Sequence, residues 1–162
     1  PSFVSSVIGI DNHAVGGAVA ASIFVASAAA QLAGRRLHPP RAVALGCAIL
    51  VAGMAILAVA LQLSSLPGLL VAAVVAGVGQ GISFSRGLAA VVEGTATERR
   101  AEVSSTYFVV AYVAISLPVV SLGFAAQRWG LQEAGVSFAV IIAVLAAVCL
   151  AAVLWQERRR SA

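Results

Sequence analysis

Between Arg41 and Arg86 the chain carries no charged residue. No soluble core needs so long an uncharged run. Two bilayer-spanning helices joined by a tight turn do, because one span takes about 20 apolar residues at roughly 1.5 Å each. The other apolar runs are nearly as long, so the chain reads as a membrane protein.

Composition excludes the alternatives. The hydrophobic fraction is 61% and the charged fraction 10%, against about 25% charged residues in an ordinary soluble domain. In lipid every backbone N–H and C=O must be satisfied internally, which leaves helices or a closed barrel. Barrel strands alternate apolar and polar residues, and the run 139–145 (AVIIAVL) does not. The predicted fold class is an all-α membrane protein with five transmembrane helices, over 14–34, 42–63, 68–92, 103–127 and 134–156. Residues 1–13 read as the stub of a preceding helix and an external loop, and 157–162 as a basic tail. The start lacks the basic n-region of a signal peptide, and Pro1 opens mid-stream, so a longer parent chain is expected.

The breaks are legible as chemistry. Pro39-Pro40 stops a helix, since proline lacks the N–H and restricts its predecessor. Residues 64–68 (SSLPG) form a turn, residues 93–100 a polar loop in which Thr97 is placed to cap the next helix, and residues 128–133 a short hairpin. The +4 net charge comes from arginine alone. Arg35, Arg36, Arg41, Arg99, Arg100, Arg158, Arg159 and Arg160 fall at one end of the spans, and Arg128 alone at the other. Such clustering is that of cytoplasmic membrane loops, not of a nucleic-acid surface. It predicts an N-terminal end outside and a C-terminal end inside, in a plasma membrane of bacterial type, with Arg158–Arg160 also suited to lipid headgroups.

Polar residues are spread unevenly. The second and fifth spans are almost wholly apolar, whereas the third holds Gln80, Ser83, Ser85 and Arg86, and the fourth Ser104, Ser105, Thr106, Tyr107, Tyr112, Ser116 and Pro118. Polar groups facing lipid are costly. The third and fourth spans are therefore expected to line a cavity or interface, and the second and fifth to face lipid. Gln80, Ser83, Arg86, Ser105, Tyr112 and Ser116 are the candidate substrate path; interhelical hydrogen bonding is the competing reading. Arg86 either snorkels to the headgroups or serves substrate or gate electrostatics. Gly77 and Gly81 form a Gly-x-x-x-Gly pair suited to close helix packing. Cys47 and Cys149 read as small hydrophobes and His13 and His38 as loop residues, so no disulfide, metal site or cofactor is expected.

The segment 29–34 (AAQLAG) is echoed by 125–130 (AAQRWG), at ends the topology places on opposite sides, as in an inverted repeat. Three further features make the chain resemble the C-terminal half of a major facilitator superfamily transporter. They are the opening stub 1–9 before a span ending in 31–36 (QLAGRR), the segment 77–81 (GVGQG) in a span running into 98–102 (ERRAE), and 117–123 (LPVVSLG). The resemblance implies that the spans are helices eight to twelve of a twelve-helix fold, with Arg35, Arg36 and Arg41 in a cytoplasmic gate loop. It departs from the family's Gly-x-x-x-Asp-Arg loop motif, with Gln31 for the Gly, Arg35 for the Asp and Arg36 on the Arg. The implied function is alternating-access transport of a small solute, with efflux of hydrophobic compounds suggested by the apolar spans. The implied partners are that solute, an N-terminal transporter half and membrane lipids, and nucleic acid is excluded. The alternatives are a non-transporting assembly subunit and an intramembrane enzyme. The enzyme lacks any Ser–His–Asp set, phosphate loop or cysteine cluster.

Overall fold

The computed structural model describes residues 13–161. The stub and the segment 1–9 lie outside the described residues, apart from His13, which opens the first helix. Five long helices follow: α1 (His13–Ala33), α2 (Pro39–Gln62), α3 (Leu66–Glu93), α4 (Arg100–Trp129) and α5 (Leu131–Ser161). Short 3-10 turns at Gly34–Arg36 and Thr97–Arg99 complete the secondary structure of the described residues. Among the described residues these five helices are long and apolar enough to cross a membrane. At about 1.5 Å per residue, the 30 residues of α4 reach about 45 Å, the depth of a bilayer with its headgroups.

Local chemistry sets the boundaries, in places differently from expectation. Pro39 and Pro40 do not end α1. They begin α2 as its first residues, where the missing N–H is one that has no intrahelical partner anyway. The break itself falls at Leu37 and His38, both extended. Thr97 makes no cap: it lies inside the second 3-10 turn, and α4 starts after Arg99 without a side-chain cap. A cap does form at α3, where the Ser65 hydroxyl accepts from the Gly68 N–H at 3.2 Å. α5 runs on through Arg158 and Arg159 to Ser161, so the described part of the basic segment is helical. The Arg159 guanidinium lies 3.7 Å above the Trp155 ring one turn back, a cation–π contact that suits a helix end.

The helices pack in the order α1, α3, α2, α5, so that α3 is sandwiched between α1 and α2. Lipid tails are as apolar as leucine, so no hydrophobic force drives such helices together. Close van der Waals contact does, and small residues permit it. α2 presents Gly46, Leu50, Gly53, Leu57 and Ala60 toward α3, spaced four and three residues apart. A Cβ on Gly79 of α3 would stand 2.5 Å from the Leu50 nitrogen and 2.8 Å from the Gly46 oxygen. One on Gly53 would stand 2.7 Å from the Ala76 nitrogen. Around the helix, a Cβ on Gly77 would meet the Ile23 carbonyl oxygen of α1 at 2.5 Å, and one on Gly81 would collide with the Ser27 carbonyl. Gly77 and Gly81 thus lie where α1 crosses α3. The buried core is correspondingly small-residued, with Ala30, Ala42, Ala60, Ala72, Ala73, Ala76 and Ala139 outnumbering Met54, Leu61, Leu69 and Ile82.

The expected division of faces needs correction. α2 does not chiefly face lipid: α3 covers one side, and α5 packs on another through Ala139 against Met54 and through Gly135 against Leu61. Its lack of polar groups fits either environment, because an apolar helix partner and an acyl chain make the same demand on a side chain. Cys47 and Cys149 are free thiols, the first buried and the second exposed. α5 does expose a broad apolar side, including Val140, Ile141, Val144, Leu145 and Val148.

Gly79→Val should prise α2 from α3 and lower stability by about 1–3 kcal/mol, the usual cost of overpacking. Gly17→Ala, where a Cβ meets nothing within 4 Å, should be neutral or stabilising by up to about 1 kcal/mol. Thermal melts of the purified protein in detergent check both. Equal melting temperatures for the two variants would refute the glycine crossing.

Candidate functional site

The candidate path residues fall in three separate places. The first lies between α1 and α3. Gln80 is held there because Gly77 and Gly81 bring its helix against α1. The Ser27 hydroxyl donates to Gln80 Oε1 at 2.9 Å, and Gln31 Nε2 donates to the Ser27 hydroxyl at 3.4 Å. Ser27 is the buried member of this relay. It was missed in the sequence, although Ser27 and Gln31, four apart in a span with few polar residues, share a helix face. Ser83 is not part of this group. It points to α2, its hydroxyl donating to the Gly79 carbonyl at 2.8 Å and lying 4.0 Å from Cys47 Sγ.

The second place is the arginine-rich end. The Arg86 side chain is 13% exposed. Its Nη1 donates to the Arg35 carbonyl at 3.2 Å, in the 3-10 turn that closes α1. Its Nη2 lies 4.0 Å from Glu93 Oε1, while its Nε is buried without a hydrogen-bond partner. A cation beside the last carbonyls of a helix is favoured by the helix dipole. Arg86 therefore fastens the end of α1 to α3. Arg35 and Arg36 in the turn and Arg41 in the first turn of α2 have exposed side chains. A cavity of about 390 Å³ opens beside them, lined by His38, Pro40, Glu93, Gln156 and Glu157 among others.

The third place is α4. It touches the bundle through partly buried residues at helical spacing: Ser104, Tyr107, Ala111, Pro118, Leu122 and Ala125. Tyr107 anchors it. Its hydroxyl donates to the Phe84 carbonyl of α3 at 3.1 Å, and the rings of Phe84, Tyr107 and Phe108 cluster with centroids 5.5–6.3 Å apart. Gly87 makes room, since a Cβ there would sit 2.9 Å from that hydroxyl. Ser105, Tyr112 and Ser116 lie on the opposite side of the helix, seven and four residues apart, and all are exposed. Tyr112 is 70% exposed. Among the described residues none of α4 is buried. Pro118 has no N–H to offer the Ala114 carbonyl. On either side of it hydroxyls bond back to the helix, Ser116 to the Tyr112 carbonyl and Ser121 to the Leu117 carbonyl, a pattern that favours bending.

α4 and α5 meet at Gly130, whose φ of 87° suits a residue without a Cβ. The trough between them has a volume of about 760 Å³. Leu117, Leu122, Phe124, Phe138 and Ile141 are among its walls, and Arg128 and Trp129 stand at its hairpin end. No family model, curated protein or solved structure matches this chain.

Arg86→Met should lower the melting temperature, because it frees the Arg35 carbonyl and unties α1 from α3. Arg86→Lys should recover part of the loss, keeping the charge without the fork of donors. Gln80→Ala should cost only about 0.6 kcal/mol, a typical interhelical hydrogen bond in a membrane protein. Melting curves showing Gln80→Ala more damaging than Arg86→Met would overturn this ranking.

Proposed function

We propose that this chain carries a small solute across a membrane by alternating access, as helices eight to twelve of a major facilitator-type secondary transporter. The observation that carries the reading is the polar stripe of α4. Ser105, Tyr112 and Ser116 point away from every helix of the described bundle, and polar groups are expensive in lipid. The Ser116 hydroxyl already bonds the Tyr112 carbonyl, so it is Ser105 and Tyr112 that call for something other than acyl chains to cover them. A second helical half enclosing an aqueous path does so, and solute sites in such carriers sit near the midplane where two halves meet.

Two further features support it. α4 is bound to its neighbours by one aromatic cluster and a hairpin, an attachment loose enough to rock, whereas α1, α3 and α2 are locked by backbone contact. Arg86 also fastens the Arg35 turn to α3 at one end, so that α1 and α3 would move as one body against α4. In this reading Gln80 and Ser83 serve the packing of the half and not the solute, so the path narrows to Ser105, Tyr112 and Ser116. The arginine-rich end is the cytoplasmic one by the positive-inside rule.

In the complete protein Tyr112→Phe should change the apparent KM for transport by roughly 2- to 10-fold, the worth of one hydrogen bond, at unchanged expression. A static assembly surface would instead lose complex stability and leave KM alone. In a cysteine-free background, Glu133→Cys should react with a membrane-impermeant maleimide in intact cells and His38→Cys should not. The reverse labelling would invert the topology and break the correspondence with helices eight to twelve.

A further inference from the structure

The α4–α5 trough lies on the side of α4 away from the polar stripe and is no part of the solute path. Its form is that of a site for a lipid. Along α4 it runs from Leu117 to Trp129, about 18 Å at 1.5 Å per residue. The hydrocarbon core of a bilayer is about 30 Å thick, so the trough is as deep as one leaflet. Phe84, Tyr107 and Phe108 hold α4 to α3 below it, and the Gly130 hairpin closes it above. A transmembrane helix would need a channel through both leaflets. A single acyl chain needs one.

The chemistry of the two ends matches that depth. The deep end is apolar, with Leu117 and Ile141 in its walls. At the shallow end stand Arg128 and Trp129, the arginine being the one cation of that membrane face in the sequence. Tryptophan belongs at the headgroup level, and arginine pairs with phosphate through two parallel donors. Glu133, which would oppose an anion, is not among the lining residues, although it stands one turn from the lining Ser137. The volume of about 760 Å³ falls within the roughly 300–1,000 Å³ of small-molecule sites.

We propose that the trough binds an anionic phospholipid from the leaflet at the hairpin end, with one acyl chain between Leu122 and Phe138 and the phosphate on Arg128. The site requires only that the helices span a bilayer, and it stands whether or not the protein transports.

The test uses the complete protein in nanodiscs containing phosphatidylglycerol that carries a diazirine on one acyl chain. After irradiation, mass spectrometry of peptides should find the label concentrated in residues 117–129 and 134–141. Arg128→Gln should lower that labelling about fivefold, the effect of one arginine beside an anionic headgroup, and Arg128→Lys should restore most of it. The same variant should lower labelling by diazirine phosphatidylcholine less, because choline offsets the charge of the phosphate that Arg128 holds. Ser137→Phe, at an exposed lining position, should fill the trough and abolish labelling by both lipids while the melting temperature holds. Label spread evenly over all lipid-facing helices, or equal phosphatidylglycerol labelling in Arg128→Gln, would overturn the proposal. So would exclusion of both lipids from the trough, the result expected if another helix occupies it.

Discussion

The near-contact of the α3 backbone with α2 on one side and α1 on the other is the constraint on which the rest depends. Gly79 meets Gly46 and Leu50, Gly53 meets Ala76, and Gly77 and Gly81 meet Ile23 and Ser27. In a bilayer the unpacked alternative for an apolar side chain is another apolar contact, so burial yields little. What distinguishes packed helices is how near their backbones come and how many dispersion contacts follow. The crossing also sets the polar geometry. It places the Ser27 hydroxyl within bonding distance of Gln80, Ser83 beside Cys47, and the Arg86 guanidinium at the carbonyl end of α1.

α4 stands outside this arrangement. It lacks the glycines that would let it approach, apart from an exposed Gly123, and it carries bulk where the others carry alanine. Its contacts are an aromatic cluster near one end and a hairpin at the other, with Pro118 between. A helix held in this way has two faces with opposite demands. One turns serine and tyrosine hydroxyls outward, and the other leaves an apolar trough against α5. The proposed transport function and the proposed lipid site rest on these two faces separately.

Several features were legible in the sequence because they depend on short-range chemistry. Five spans follow from apolar runs longer than a bilayer is thick, and the turn at 64–68 from its serine, proline and glycine. Gly77 and Gly81 stood out as a spaced pair. The readings that failed did so where local signals are ambiguous. A Pro-Pro pair marks a helix start as well as a stop, because the first residues of a helix need no N–H partner. Thr97 has the right chemistry for a cap, but the 3-10 turn it sits in moves the helix start beyond it. Ser27 had only its four-residue spacing from Gln31 to mark it until Gln80 met it from α3.

The sequence by itself determined that the chain is helical, with five runs long and apolar enough to span a bilayer, and within a few residues where they are interrupted. These properties depend on the solvent and on neighbours a few residues apart. Only the tertiary structure decided which helices touch. It wedged α3 between α1 and α2, covered the apolar α2 on two sides, and left the polar face of α4 open. The reason is that hydropathy records what a side chain avoids, and within a membrane an acyl chain and an apolar helix are equally acceptable neighbours. The choice between them is made by shape, through glycines and alanines whose effect appears only when a second backbone arrives within 3 Å of where a Cβ would be.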